Sequence, residues 1–173
     1  MSDPRYPIGK VQLTGALSVG DRADAIRRIA ALPDALHAAV RGLDATQLAT
    51  PYRAGGWTLR QVVHHIADSH VNSYVRHKLT ITEANPPIKN YDENAWASLA
   101  DANGPIGGSL LLITAIHDRW AQCLRSLAPK DFARTCEHSV AGPMTLDDLV
   151  ALYAWHGEHH VAHITTFRRS RGW

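Results

Sequence analysis

Apolar side chains recur every three or four residues along four separate stretches of this chain, and that period makes helices its dominant elements. In the first stretch Ile26, Ile29, Leu32, Leu36 and Val40 share one side of a helix that Ser18 or Asp21 can cap and that runs to about Leu43. Pro33 falls inside it and is expected to kink or break it. A second helix follows the turn Ala54-Gly55-Gly56-Trp57, with Thr58 and Gln61 at capping-box spacing, and continues past Leu79 to stop before Pro86 and Pro87. A third runs from Ser109 through Leu110, Ile113, Ile116, Trp120 and Leu124 and stops before Pro129. The fourth starts at Thr145, with Asp147 and Asp148 suiting the positive end of its dipole and Arg168, Arg169 and Arg171 the negative end. No stretch alternates convincingly as a strand.

The links constrain the fold further. Residues 84–108, rich in Pro, Gly and Asn, separate the second helix from the third, and a link this long is usually functional or a crossover. The expected architecture is therefore all-α: one four-helix-bundle domain over residues 1–173, with a long crossover loop between helices 2 and 3. A chain of 173 residues is long enough to bury a core of that kind.

Charge and composition exclude several classes of partner. A formal net charge of +2 is too small to argue for nucleic acid or an acidic membrane surface. The N-terminal stretch is polar, and no run of 18 apolar residues exists to span a membrane. Cys123 and Cys136 are too few and too oddly spaced for a disulfide framework or a cysteine zinc site, which leads to the expectation of a reduced, cytoplasmic protein.

Histidine is out of line: 11 in all, eight of them between His64 and His77 or between His156 and His163. The stretch WHGEHHVAH contains two pairs at helical four-residue spacing, His156/His160 and His159/His163. With His156 at zero and roughly 100° per residue, the apolar residues of the last helix, Leu149, Leu152, Tyr153, Ile164 and Phe167, fall between roughly −40° and +80°. His160 falls near +40°, His163 near −20° and His159 near −60°, while Glu158 points away from the core. The pair His156/His160 is centred on the buried face, and His159 and His64 are expected off it. On the second helix His65 and Ser69 continue the edge that Val62 defines beside Ile66, which favours His65 as a third ligand over His64, although a one-residue change of register exchanges the two. Two inward histidines one turn apart with a histidine-rich partner helix point to a shared metal ion, because buried ring nitrogens need partners. The metalloprotease motif H-E-x-x-H is absent, since Gly157 follows His156.

On these stretches the chain resembles the DinB/YfiT-like proteins, a family whose hydrolase label rests on its metal site rather than on a known substrate. The matching segments are YPIGK (Tyr6 to Lys10), TPYRAGGWTLRQVVHHIADSHVNSYVRHKL (Thr50 to Leu79), IKNYDENAWASL (Ile88 to Leu99) and LYAWHGEHHVAHIT (Leu152 to Thr165), with a closing Gly-Trp. The resemblance implies a four-helix bundle with three metal-binding histidines, here His65, His156 and His160, the positions that the helical angles also favour. Common members end the last motif with Gln where this chain has His163, so His163 is left as an extra ligand or a supporting group. The implied activity is metal-dependent hydrolysis of a small-molecule substrate, with a metal-bound water as nucleophile. The alternatives are a thiol S-transferase using a low-molecular-weight thiol of the bacillithiol type, and a non-enzymatic metal-binding bundle. One divalent ion per chain is expected, Zn²⁺ first and Ni²⁺ second, since imidazole suits both. The expected assembly is a homodimer.

Asp68, one turn beyond His65, is the candidate catalytic residue, either as general base or as acceptor for the free N–H of His65; a surface pairing with Arg60 or Lys78 is the competing reading. Arg76 and His77 read as an exposed basic face in preference to a contact with a substrate anion. Tyr91, Asp92 and Trp96 in the crossover are expected to shape a lid, and Trp57 to pack the start of the second helix.

Overall fold

The structure is a computed structural model and describes residues 3–13 and 15–173. Four long helices carry it: α1 (Val19–Val40), α3 (Leu59–Thr82), α5 (Gly107–Arg125) and α6 (Leu146–Arg171). Two helices of four residues each, α2 (Ala45–Leu48) and α4 (Glu93–Trp96), lie in the first and second links. α1 packs against α5 and α6, and α3 packs against the same two, so that α1 and α3, consecutive long helices, face each other across a diagonal. The all-α bundle and its long crossover between the second and third long helices are as expected. The first and third links are long as well, because each must carry the chain across the bundle end to a diagonal position.

The caps follow the sequence closely. The Ser18 hydroxyl accepts from the Asp21 amide at the start of α1. Thr58 with Gln61 and Thr145 with Asp148 form complete capping boxes on α3 and α6. Gly172 ends α6 in the left-handed conformation, and Arg168 donates to the Ala39 carbonyl at 2.6 Å. α1 ends at Val40 rather than Leu43, and it runs through Pro33 without a break, with Pro33 itself buried. Asp147 does more than complement a dipole. It makes a two-pronged pair with Arg22, through Nε at 2.7 Å and the terminal nitrogen at 2.6 Å, which fixes the start of α6 to the start of α1.

One expectation needs correcting. A small sheet is present, with β1 (Pro87–Ile88) parallel to β2 (Thr135–His138) and β2 antiparallel to β3 (Gly142–Thr145). Its strands have two to four residues, too few for a period of two to show, and Pro87 and Pro143 add a strand-breaking signal. The sheet ties the crossover to the link between α5 and α6 and buries Ile88, Cys136 and Met144 over one end of the bundle.

The interior is stratified. One apolar cluster gathers Ile26, Ile29, Trp120, Leu124, Leu149 and Tyr153, and a second gathers Leu32, Leu36, Val62, Ile66, Ile113 and Ile164. Between them along α3, α5 and α6 lie His65, His70, His117, His156 and His160. At this level α1 approaches α6 closely. A Cβ added at Gly157 would lie 2.6 and 2.8 Å from the two methyl carbons of Leu32.

Gly157→Ala should therefore destabilise the protein by about 1–3 kcal/mol by overpacking, despite the ~1 kcal/mol that alanine gains over glycine in a helix interior. Adding Leu32→Ala should cost less than the two single losses summed. Urea midpoints check both, and a Gly157→Ala protein as stable as its parent would show that the two helices are not in tight contact there.

Candidate metal centre

α3 delivers His65, and α6 delivers His156 and His160 one turn apart. Each offers one ring nitrogen, and these atoms lie within 4.8 Å of one another. Ring centroids are 4.5 Å apart for His156 and His160, 4.6 Å for His65 and His160, and 5.3 Å for His65 and His156. The Nε2 atoms of His65 and His156 are 3.3 Å apart. Two nitrogens bound to one zinc ion at about 2.0–2.1 Å and a tetrahedral angle would be about 3.4 Å apart, so this spacing suits a shared divalent ion. Among the described residues no fourth ligating side chain joins the three.

The surroundings hold the rings from several sides. Trp57, at the start of α3 as expected, lies with its ring centroid 4.6 Å from that of His65. The hairpin-like turn that carries it is closed by the Tyr52 amide donating to the Trp57 carbonyl and the Gly56 amide to the Arg53 carbonyl. Behind His156, its Nδ1 is 3.0 Å from His70 Nε2, and His70 Nδ1 is 2.9 Å from His117 Nε2. Behind His160, its Nδ1 is 3.3 Å from His163 Nδ1. Burial holds all of these rings neutral. It pushes His65 and His117 down to about 4 and His70, His156 and His160 well below the usual imidazole range, with neighbouring imidazoles adding to the effect for all but His117.

The other sequence candidates fall in different places. His64 is half-buried and occupied elsewhere, its Nε2 donating to the Gly104 carbonyl at 3.1 Å and its Nδ1 meeting the Ser109 hydroxyl at 2.7 Å, so it ties α3 to the crossover. His159 is buried, not off the buried surface as expected. The N-terminal segment and Trp155 cover it, with the Trp155 ring stacked on it at 4.3 Å and Tyr6 at 6.2 Å, and no helical wheel contains a segment folded over from elsewhere. Arg76 and His77 are likewise buried rather than an exposed basic face. Arg76 donates to the Lys89 carbonyl at 2.9 Å and to the Tyr153 hydroxyl at 3.3 Å, and His77 donates through Nδ1 to the Ser73 carbonyl. Asp68 is half-buried, and burial and the Asp101 carboxylate raise its pKa. Among the described residues its carboxylate has no hydrogen bond, to His65 or to any other group. Glu158 pairs with Arg28 of α1 through two bonds.

A cavity of about 260 Å³ opens at His160, walled also by His159, Tyr52, Arg53, Glu93 and Asn94. Four chain segments build it: the N-terminal stretch, the turn before α3, α4 of the crossover, and α6. Glu93 and Asn94 are the residues that sequence reasoning missed. The only available signal was their place in the crossover beside Tyr91, Asp92 and Trp96. Of those three, Asp92 caps α4 and Tyr91 packs its ring 4.4 Å from that of Trp96. Burial raises the pKa of Glu93, against the opposing field of Arg76.

Residues 28–164 match the DinB superfamily. The chain belongs to that superfamily. It is 47% identical to a protein of Bacillus mycoides strain KBAB4 over 173 residues, all of both chains, and 48% identical to one of Oceanobacillus iheyensis over 169 residues, 98% of each; both are named as candidate metal-dependent hydrolases. Its fold is similar to that of YfiT from Bacillus subtilis, described as a probable metal-dependent hydrolase with an unusual four-helix bundle topology. The TM-score is 0.95, with 44% identity and 98% of each chain covered. A second four-helix bundle protein, 20% identical, shares the fold at a TM-score of 0.55 over 81% of this chain and 94% of its own. No helix among the described residues is long and apolar enough to cross a membrane.

The buried imidazoles make stability pH-dependent. His77 lies under Trp120, and burial lowers its pKa from 6.5 to about 4. The unfolded chain therefore binds the His77 proton before the folded one does. Stability falls as pH drops from 6.5 towards 4, by about 3 kcal/mol in total for this ring. The urea midpoint of metal-free protein should fall steeply across that window, and more shallowly in His77→Gln. A flat midpoint would show that the ring is not held neutral.

Proposed function

We propose that this protein is a metal-dependent hydrolase in which His65, His156 and His160 hold one divalent ion, zinc in preference to nickel, beside a cavity that admits a small-molecule substrate. The observation that carries this reading is the convergence of three imidazoles from two helices, one of them, His160, lining a polar cavity, with no fourth ligating side chain in the cluster among the described residues. Three protein ligands and an open position are the pattern of a catalytic rather than a structural zinc site. A bound ion there supplies a Lewis acid and lowers the pKa of a water or thiol beside it.

The chain's own residues set the rest. Glu93, raised by burial and facing the cavity, is placed to take a proton from the attacking group. Arg53 also lines the cavity and has no carboxylate partner among the described residues, so it suits an anionic substituent on the substrate. Trp57 keeps water from one face of His65. Asp68 remains the competing base, one turn from His65 on α3.

Purified protein should contain one divalent ion per chain by elemental analysis, and His156→Ala and His160→Ala should each lose it. His159→Ala should leave metal affinity nearly unchanged. Metal-loaded protein should turn over a member of an ester and amide panel; turnover only of an electrophile together with a low-molecular-weight thiol would move the assignment to thiol transfer. Glu93→Gln should lower turnover on the order of 100-fold with metal content intact, and more than Asp68→Asn does. The reverse ranking would make Asp68 the base, and full metal content in His156→Ala would remove the three-histidine site altogether.

A further inference from the structure

Two histidine relays end on backbone carbonyls, and each begins behind one of the two α6 histidines of the three-histidine cluster. The longer relay runs through the polar layer between the two apolar clusters. His117 Nδ1 lies 2.6 Å from the Ile29 carbonyl oxygen, His117 Nε2 lies 2.9 Å from His70 Nδ1, and His70 Nε2 lies 3.0 Å from His156 Nδ1. The shorter relay lies at the cavity rim. His163 Nε2 is 3.2 Å from the Arg5 carbonyl oxygen, and His163 Nδ1 is 3.3 Å from His160 Nδ1.

A carbonyl oxygen can only accept, and a neutral imidazole has one donor and one acceptor. His117 must therefore carry its proton on Nδ1, which leaves Nε2 as an acceptor. The contact with His70 then requires a proton on His70 Nδ1, which leaves His70 Nε2 as an acceptor. That in turn requires His156 to donate through Nδ1, so its Nε2 presents a bare lone pair towards His65. The same steps from the Arg5 carbonyl put a proton on His163 Nε2, leave His163 Nδ1 to accept, make His160 donate through Nδ1, and leave His160 Nε2 bare.

We propose that His117 and His70, and separately His163, are positioning residues that lock His156 and His160 in the tautomer whose Nε2 can bind a metal, before any metal arrives. The assignment rests on the reading of His65, His156 and His160 as the ligand set. It explains why a bundle interior holds two fully buried histidines, His70 and His117, that never reach the cavity. It also gives His163 a role as a supporting group and not a fourth ligand, because both of its nitrogens are already engaged.

The test is read first on metal-free protein. Long-range ¹H–¹⁵N NMR correlations report which ring nitrogen of each histidine carries the proton. The expected result is Nδ1–H with bare Nε2 at both His156 and His160, and Nε2–H at either one overturns the proposal for that relay. Variants extend the test. Gln also pairs one donor with one acceptor, so His163→Gln should keep the His160 tautomer and Zn²⁺ affinity within a few-fold, whereas His163→Leu should let Nε2–H appear at His160. His117→Phe should likewise release His156 and weaken Zn²⁺ binding in chelator competition about 10-fold or more, with His117→Gln restoring most of it. Equal loss in the Gln and Leu or Phe variants would mean a packing role only and would overturn the relay. Because His117 is fully buried, the rim residue His163 and the unmutated protein keep the test decisive if His117→Phe does not fold. Correct tautomers in a protein that binds no Zn²⁺ would support the relays and overturn the metal reading, while Zn²⁺ binding with Nε2–H in the metal-free protein would do the opposite.

Discussion

An imidazole buried in this bundle carries two nitrogens that water no longer satisfies. The histidine layer is arranged so that His70, His117 and His163 have both of theirs engaged, while His77 Nε2 and His159 Nδ1 are left unpartnered among the described residues. An amide-sized polar group left unpaired in an apolar core costs several kcal/mol. Five histidines at one level would be ruinous if each were alone. They are tolerable because they bond to one another and because the chains of bonds terminate on carbonyls of α1 and the N-terminal segment. The apolar clusters on either side keep water out, which strengthens those bonds and leaves the rings no alternative partners.

The helices supply the floor of the cavity and the links supply its walls. Tyr52, Arg53 and Trp57 come from the turn before α3, and Glu93 and Asn94 come from α4 in the crossover. That division matches the physical roles of the two kinds of segment. Long packed helices hold three imidazoles with a ring nitrogen of each within 4.8 Å of the others, while short, polar segments can vary the chemistry around them. The sheet of β1, β2 and β3 contributes indirectly, by anchoring the crossover to the link between α5 and α6.

The helices, their caps and the clustering of His65, His156 and His160 were legible in the sequence, because a period of 3.6 residues is written into every turn and Ser18, Thr58 and Thr145 mark their helix starts. Whatever depends on segments folding over a helix from elsewhere was not legible. His159 reads as peripheral on its own helix and is buried because Tyr6 of the N-terminal segment covers it together with its helix neighbour Trp155. Arg76 and His77 read as basic and exposed, yet the crossover lies over one and the α5 tryptophan over the other. The three strands were invisible for lack of length. His70 and His117 lie 47 residues apart, and nothing local in either helix shows that they bond.

The same separations decide when this site can exist during synthesis. His65 and His156 are 91 residues apart, and the rim contact between Arg5 and His163 spans 158. While the chain is emerging from the ribosome, α3 carries His65 without either of its α6 partners. The three-histidine cluster therefore cannot form until α6 has been made, and the close seat of Gly157 on Leu32 of α1 forms only then as well. A cluster that closes last is presented as part of a folded bundle and not as a string of loose imidazoles.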